Sequence, residues 1–293
     1  MRTRASDPLP GLSRNNLCER QSEARIAWSA LNLSGSLRRQ TNLLARLNSV
    51  RWRRELLRRI GLLYRRLVPE PAPREIIGSI GEPFVSVLCS MYDRQPQCGA
   101  EDKMYPIDAT TRIGPKQGML IYQLVRDTKP DNTLEIGLAF GFSTVYFLAA
   151  IQANGKGHHV ALDPHQTSRW HDIGLARGKV LGIEAGIFEF SSENSIQGLA
   201  RLAREQRQFE IIFIDGNHRF DSALSDFFLA SFVCKPGGHI ILDDMWMLSI
   251  QRVASFIRLN RPDFTEVRTS IQDIAVFRMT NTDERPWDHF VPF

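Results

Sequence analysis

The chain has 293 residues, 43% of them apolar, and a formal net charge of +5, which is enough apolar material for a full core in one large domain or one domain with an appendage. No run reaches the roughly 18 apolar residues of a membrane-spanning helix, and the first thirty residues lack the order of a secretory signal, so the expected location is the cytoplasm. Cys18, Cys89, Cys98 and Cys234 show neither C-x-x-C spacing nor a dense even framework, which argues against structural zinc and disulfides.

Charge is unevenly spread. Residues 1–75 hold 16 arginines, no lysine and 6 acids, whereas the remainder carries 21 bases and 26 acids. Residues 1–34, polar and broken by Pro8, Pro10 and Gly11, read as a disordered leader. In the segment 35–75, Leu43, Leu44, Leu47, Val50, Leu56, Leu57, Ile60, Leu63, Tyr64 and Leu67 recur at helical spacing between arginines, and Pro69, Pro71 and Pro73 end the pattern as a stiff connector. A basic amphipathic helix of this kind has three readings: docking on its own domain or on a homodimer partner, peripheral contact with the inner membrane surface, and, least favoured, contact with nucleic acid. Residues 76–110 read as short helices and loops that cap the edge of the next domain.

From 111 to 281 short apolar strands alternate with helical segments, the pattern of a doubly wound, mostly parallel α/β sheet with seven strands. Strands are expected near 132–136, 158–163, 186–190, 209–215 and 237–243, and a closing hairpin near 264–268 and 273–279. Helices are expected near 116–128, 142–153, 169–182, 195–206, 219–231 and 248–260. Residues 282–293 form an aromatic tail.

The most informative segment is Thr133-Leu-Glu135-Ile-Gly137-Leu-Ala139-Phe-Gly141-Phe-Ser143-Thr144. A strand enters a tight turn in which Gly137 and Gly141 let backbone approach a ligand, and the next helix opens with free amides. The spacing is G-x-x-x-G, so the pyrophosphate fingerprint G-x-G-x-x-G is absent, which argues against an NAD-linked oxidoreductase. The second strand ends in Asp163, placed to accept both ribose hydroxyls of a nucleoside. The third runs into Ser191-Ser192-Glu193-Asn194, where Ser192 or Glu193 can cap the next helix. The fourth ends Ile-Asp215-Gly-Asn-His218 and the fifth Leu-Asp243-Asp244, so Asp215, Asp243 and Asp244 supply three hard oxygen ligands suited to Mg²⁺. His218 is the candidate general base, beside Asp215. The other histidines, including His158, His159 and His165, show no ligand spacing and read as surface or strand-end residues.

The E-I-G-x-A-x-G-x-S motif resembles the first motif of class I S-adenosylmethionine-dependent methyltransferases, and the two acidic strand ends are similar to those of the catechol and macrocin O-methyltransferase type. The resemblance spans roughly residues 110–280. It implies a Rossmann-like fold and a cofactor site of Glu135, Gly137, Ala139, Gly141, Ser143, Asp163, Ser192, Glu193 and Asp215, with Ser143 on the cofactor carboxylate. It also implies His218 and Asp215 as catalytic groups and metal-assisted methyl transfer to a hydroxyl of a small molecule. Two rivals remain: a nucleic-acid methyltransferase, weakened by the absence of an Asn/Asp-Pro-Pro-aromatic turn after the fourth strand, and a catalytically silent cofactor-binding protein.

Overall fold

The computed structural model describes residues 73–108, 111–183 and 186–293; the expected leader and the arginine-rich segment up to residue 72 lie outside the described residues. The described chain opens with α1 (Pro73–Ile77), a 3₁₀ turn and α2 (Phe84–Tyr92), followed by a two-stranded antiparallel ribbon of β1 (Gln97–Cys98) and β2 (Met104–Tyr105). These short elements occupy residues 73–105. They share a core with the sheet domain, because Ile77, Phe84, Leu88 and Met91 are buried in one cluster with residues of the two helices beneath them. Those helices are α3 (Pro115–Thr128) and α4 (Phe142–Asn154). The Tyr92 hydroxyl shares a hydrogen bond of 2.9 Å with the Tyr146 hydroxyl of α4 and lies 3.2 Å from the Ile113 carbonyl.

Alternation of strand and helix then builds the seven-stranded sheet. Its members are β3 (Asn132–Ile136), β4 (His158–Leu162), β5 (Phe188–Ser191), β6 (Phe209–Ile214), β7 (Cys234–Leu242), β8 (Phe264–Val267) and β9 (Ala275–Met279). Their order is β5-β4-β3-β6-β7-β9-β8, with the first five parallel and β9 antiparallel to both its neighbours. The central strands are almost continuously apolar because both faces are covered. Glu135, Ala161, Phe213 and Ile241 alternate onto the α3 and α4 side. Leu134, Ile136, Leu162, Ile214 and Leu242 point the other way, against α7 (Ser195–Arg204), α8 (Phe220–Val233) and α9 (Leu248–Asn260).

Two boundaries differ from expectation. The helix expected over 169–182 is broken into α5 (Gln166–Arg169), α6 (Ile173–Gly178) and a π turn over 179–183, with His171 and Asp172 at positive φ between the first two. The break lets Gly174 lie against the β3–α4 turn: a Cβ there would stand 2.5 Å from the Ala139 carbonyl. Strand β7 begins at Cys234, which pairs with Phe209, and the Lys235-Pro236-Gly237 stretch is absorbed as an irregularity in the β6 pairing.

α3 and α4 cross closely at Gly118, where a Cβ would fall 2.2 Å from the Tyr146 ring. Gly118→Ala is therefore expected to lower stability by about 1–3 kcal/mol, read as the denaturant midpoint; an unchanged midpoint would show that the crossing can relax. Among the described residues no helix is long and apolar enough to cross a membrane.

Candidate functional site

Strand register brings the expected site residues to one edge. The ladder runs one residue past each strand: Gly137 N–H donates to the Leu162 carbonyl (2.9 Å), Asp163 N–H to Ser191 (3.1 Å), Asp215 N–H to Ile136 (2.9 Å) and Asp243 N–H to Ile214 (3.2 Å). Asp163, Gly137, Asp215 and Asp243 thus form a single row at the carboxyl ends of neighbouring strands, where the direction of chain winding reverses. Ligands of open α/β sheets bind at such a reversal.

Gly137 sits at φ +96°, and a Cβ on it would meet the Asp215 carbonyl at 2.2 Å, so only glycine permits β3 and β6 to approach here. Gly141, at φ +82°, caps α4, and Ala139 between them is also left-handed at φ +44°. Two carboxylates hold this turn. Asp163, 3% exposed, accepts the Ala139 N–H at 2.8 Å and the Gln166 amide at 3.0 Å on Oδ2, and the His165 N–H at 2.7 Å on Oδ1. Gln166 also donates to the Ala139 carbonyl and accepts the Leu175 N–H, which stitches the broken helix to the turn.

Glu135 is fully buried beneath the turn. Its oxygens accept the Ser143 hydroxyl at 3.0 Å and the Thr144 hydroxyl at 3.0 and 3.1 Å, and one lies 3.0 Å from His159 Nε2. Ser143, expected on a cofactor carboxylate, donates its hydroxyl hydrogen bond to Glu135. His159, expected at a strand end or surface, is fully buried, stacked on Phe147 and bonded to Thr133 through Nδ1. The reason is a diagonal pairing: Thr133 is opposite His159 in the β3–β4 register, and Glu135 lies two residues further along the same face. At the β5 end, Asn194 accepts the Gln197 N–H and so takes the cap of α7 that was open to Ser192 or Glu193. Glu193 accepts from Ser191 and Arg201, and the Ser191 hydroxyl, followed by Arg201, holds its carboxyl below the usual range.

The acidic cluster differs in membership from the expected ligand set. One ligand atom each of Asp215, His218 and Asp244 lies within 4.8 Å of the others. His218 Nε2 is 3.2 Å from Asp215 Oδ1 and 2.7 Å from Asp244 Oδ2, and Asp244, at φ +55°, also accepts the Trp246 indole N–H at 2.7 Å. Asp243, 5% exposed, is instead engaged by Gln117, whose Nε2 donates to Oδ1 at 2.6 Å. The electrostatics follow the geometry. Hydrogen bonds to Asp215 and Asp244 push His218 up to about 10. Burial, reinforced by Asp244, raises Asp215 to about 6, and burial beside Asp215 and Asp244 lifts Asp243 well above the carboxylate range. Asp244, although burial acts against it, is held below that range by His218. As placed, His218 carries the positive charge among three acids at neutral pH.

Behind this loop Asp226 of α8 is 2% exposed, and its Oδ1 has no partner. Burial pushes it up to about 6, partly offset by the Ser195 hydroxyl. The folded protein thus binds this proton more tightly than the unfolded chain, so stability is highest below the unfolded value and falls as pH rises through 6. Asp226→Asn is expected to raise stability at pH 8 by about 1–3 kcal/mol, with the gain shrinking towards zero as pH falls from 6 to 4. Urea unfolding across that range checks it; a gain independent of pH would remove the acid as its cause.

Residues 134–245 match a family model described as a methyltransferase domain. No curated protein matches the chain. Among solved structures, the O-methyltransferase TomG from Streptomyces achromogenes, involved in tomaymycin synthesis and solved with S-adenosylmethionine, superposes with a TM-score of 0.52 and 18% identity over 69% of this chain and 91% of that one. An O-methyltransferase from Bacillus cereus in complex with S-adenosylhomocysteine gives 0.51 and 19%, over 73% and 93% of the two chains. An S-adenosylhomocysteine-bound methyltransferase from Podospora anserina gives 0.51 and 15%, over 69% and 89%. These structures share the fold, and the family match covers the strands that carry the glycine turn and the acidic row. Residues 134–245 are thus similar to a methyltransferase domain, carried on the fold that these S-adenosylmethionine- and S-adenosylhomocysteine-bound structures share.

Proposed function

We propose that the domain methylates a hydroxyl of a small molecule with the help of a divalent cation. The observation that carries this reading is the gathering of Asp215, His218 and Asp244, with Asp243 next to them, on the strand ends beside the glycine turn. The donor set fits a hard cation such as Mg²⁺: three carboxylates can offer oxygen ligands from two adjacent strands. Asp215, Asp243 and Asp244 would hold the ion, which as a Lewis acid lowers the pKa of a bound hydroxyl. S-adenosylmethionine supplies the methyl group on its sulfonium.

The chain's own residues seat the donor and prepare the acceptor. Gly137, Ala139 and Gly141 offer close backbone approach to the amino-acid end, with Glu135 and Ser143 fixing the turn from below. Asp163 exchanges the Gln166 amide for ribose hydroxyls, and Ser192 and Glu193 flank the adenine. Asp215 and Asp244 would hold the cation in place of the His218 proton, which would pass to solvent, and the free imidazole could then accept the proton of the acceptor hydroxyl. Alignment of that oxygen with the sulfonium methyl, rather than a covalent enzyme intermediate, provides much of the acceleration.

Calorimetric titration of S-adenosylhomocysteine and of NAD, each with Mg²⁺ and with EDTA, tests the donor site: micromolar binding of the first and none of the second is expected. Binding of NAD, or of neither, would overturn the reading. Asp243→Ala is expected to leave S-adenosylhomocysteine affinity unchanged and to abolish Mg²⁺-dependent turnover in a screen of hydroxylated metabolites. Full activity of that variant in chelator would remove the metal.

A further inference from the structure

We infer that Gln117 is a positioning residue for the acidic cluster, orienting Asp243 for cation binding from 126 positions earlier in the chain. The inference rests on the metal-assisted function proposed for the domain. Gln117 is the third residue of α3, and its Oε1 accepts the N–H of Gly114, the residue that caps the helix, at 2.6 Å. Only the amide oxygen can accept that bond, so the capping interaction fixes which way the amide faces. The NH₂ group is thereby aimed at Asp243, donating to Oδ1 at 2.6 Å and reaching the Asp273 carbonyl at 3.5 Å. One side chain thus joins the start of α3, the end of β7 and the loop before β9.

Capping alone does not require glutamine. A glutamate at this position supplies the same acceptor oxygen to the cap, and both residues serve in capping boxes. What glutamine adds is a neutral donor directed at a nearly buried carboxylate whose charged neighbours are Asp215, Asp244 and His218. Apart from Gln117, Asp243 is bonded by the Asp244 backbone N–H, which lies on the same strand end and cannot orient it independently. Partners of this kind, which fix the direction of a ligating carboxylate, typically change metal affinity by 10–100-fold when removed.

The test is calorimetric titration of Mn²⁺ into the full-length protein and its Gln117→Glu and Gln117→Met variants, with S-adenosylhomocysteine affinity and the unfolding midpoint measured alongside. Gln117→Glu keeps the acceptor for the cap but replaces the N–H donor with an acceptor oxygen, so the bond that orients Asp243 Oδ1 is lost. The expected result is at least about a tenfold loss of Mn²⁺ affinity with an unchanged midpoint and unchanged S-adenosylhomocysteine binding. Gln117→Met, which removes the donor without adding charge, is expected to show the same loss of Mn²⁺ affinity even where its midpoint falls. Mn²⁺ affinity at or above wild type in either variant overturns the inference and leaves the metal reading standing. No Mn²⁺ binding by the wild-type protein overturns the metal reading, and the inference with it.

Discussion

Asp163→Ala is expected to weaken S-adenosylhomocysteine binding by about 100-fold while the protein stays folded. A carboxylate that accepts two ribose hydroxyls makes two charge-assisted bonds, together about 3 kcal/mol, which corresponds to two orders of magnitude in Kd. The structure adds a second contribution, because the same carboxylate anchors the Ala139 N–H and, through Gln166, the Ala139 carbonyl. Without it the left-handed turn at Ala139 has lost its fastening. Calorimetry on the variant and on Asp163→Asn separates the two contributions. The asparagine variant retains an acceptor oxygen for the turn but lacks the charge, so its loss is expected to be smaller. A change below threefold in the alanine variant would remove Asp163 from the donor site.

Glu135→Ala is expected to cost about 3–5 kcal/mol of stability. The carboxylate is wholly buried, and its removal strands the Ser143 and Thr144 hydroxyls and the His159 ring in a cavity that water reaches poorly. Glu135→Gln preserves the shape and part of the bonding and is expected to cost about 1–2 kcal/mol. Urea unfolding of both variants reads the difference; equal midpoints for the alanine variant and the wild-type protein would show that the network carries no net stabilisation. This ordering ties the donor site to the fold itself, because the helix that opens with Ser143 and Thr144 is fixed to β3 through that one acid.

Much of the fold and the site was legible in the residues alone. Strands such as 132–136 and 209–214 announce themselves because a strand covered on both faces is apolar throughout, and α9 begins and ends where its pattern does. The acidic ends at Asp163, Asp215 and Asp243 were legible because each follows such a run directly. What escaped depends on contacts distant in sequence. The break after Arg169 is dictated by Gly174 meeting the Ala139 carbonyl, which no local propensity encodes. His159 looked like a strand-end residue because its partner, Glu135, is reached only through the register between two strands. The contacts around the acidic strand ends were out of reach for the same reason: His218 folds back onto Asp244, and Gln117, on a helix with no visible tie to the site, bonds to Asp243.

The single row formed by Gly137, Asp163, Asp215 and Asp243 sets different tolerances for change along the chain. Side chains in a strand alternate between faces, so one residue gained or lost inside β4, β6 or β7 would turn that strand's aspartate to the opposite side of the sheet, and one in β3 would shift Gly137 out of its contact with Asp215. The connections that begin just beyond the row, at residues 164–172 and 216–219, are under no such parity. Length variation in descendants of this chain should therefore collect immediately downstream of the row and be absent upstream of it, so that the row stays in frame while the loops beyond it are rewritten.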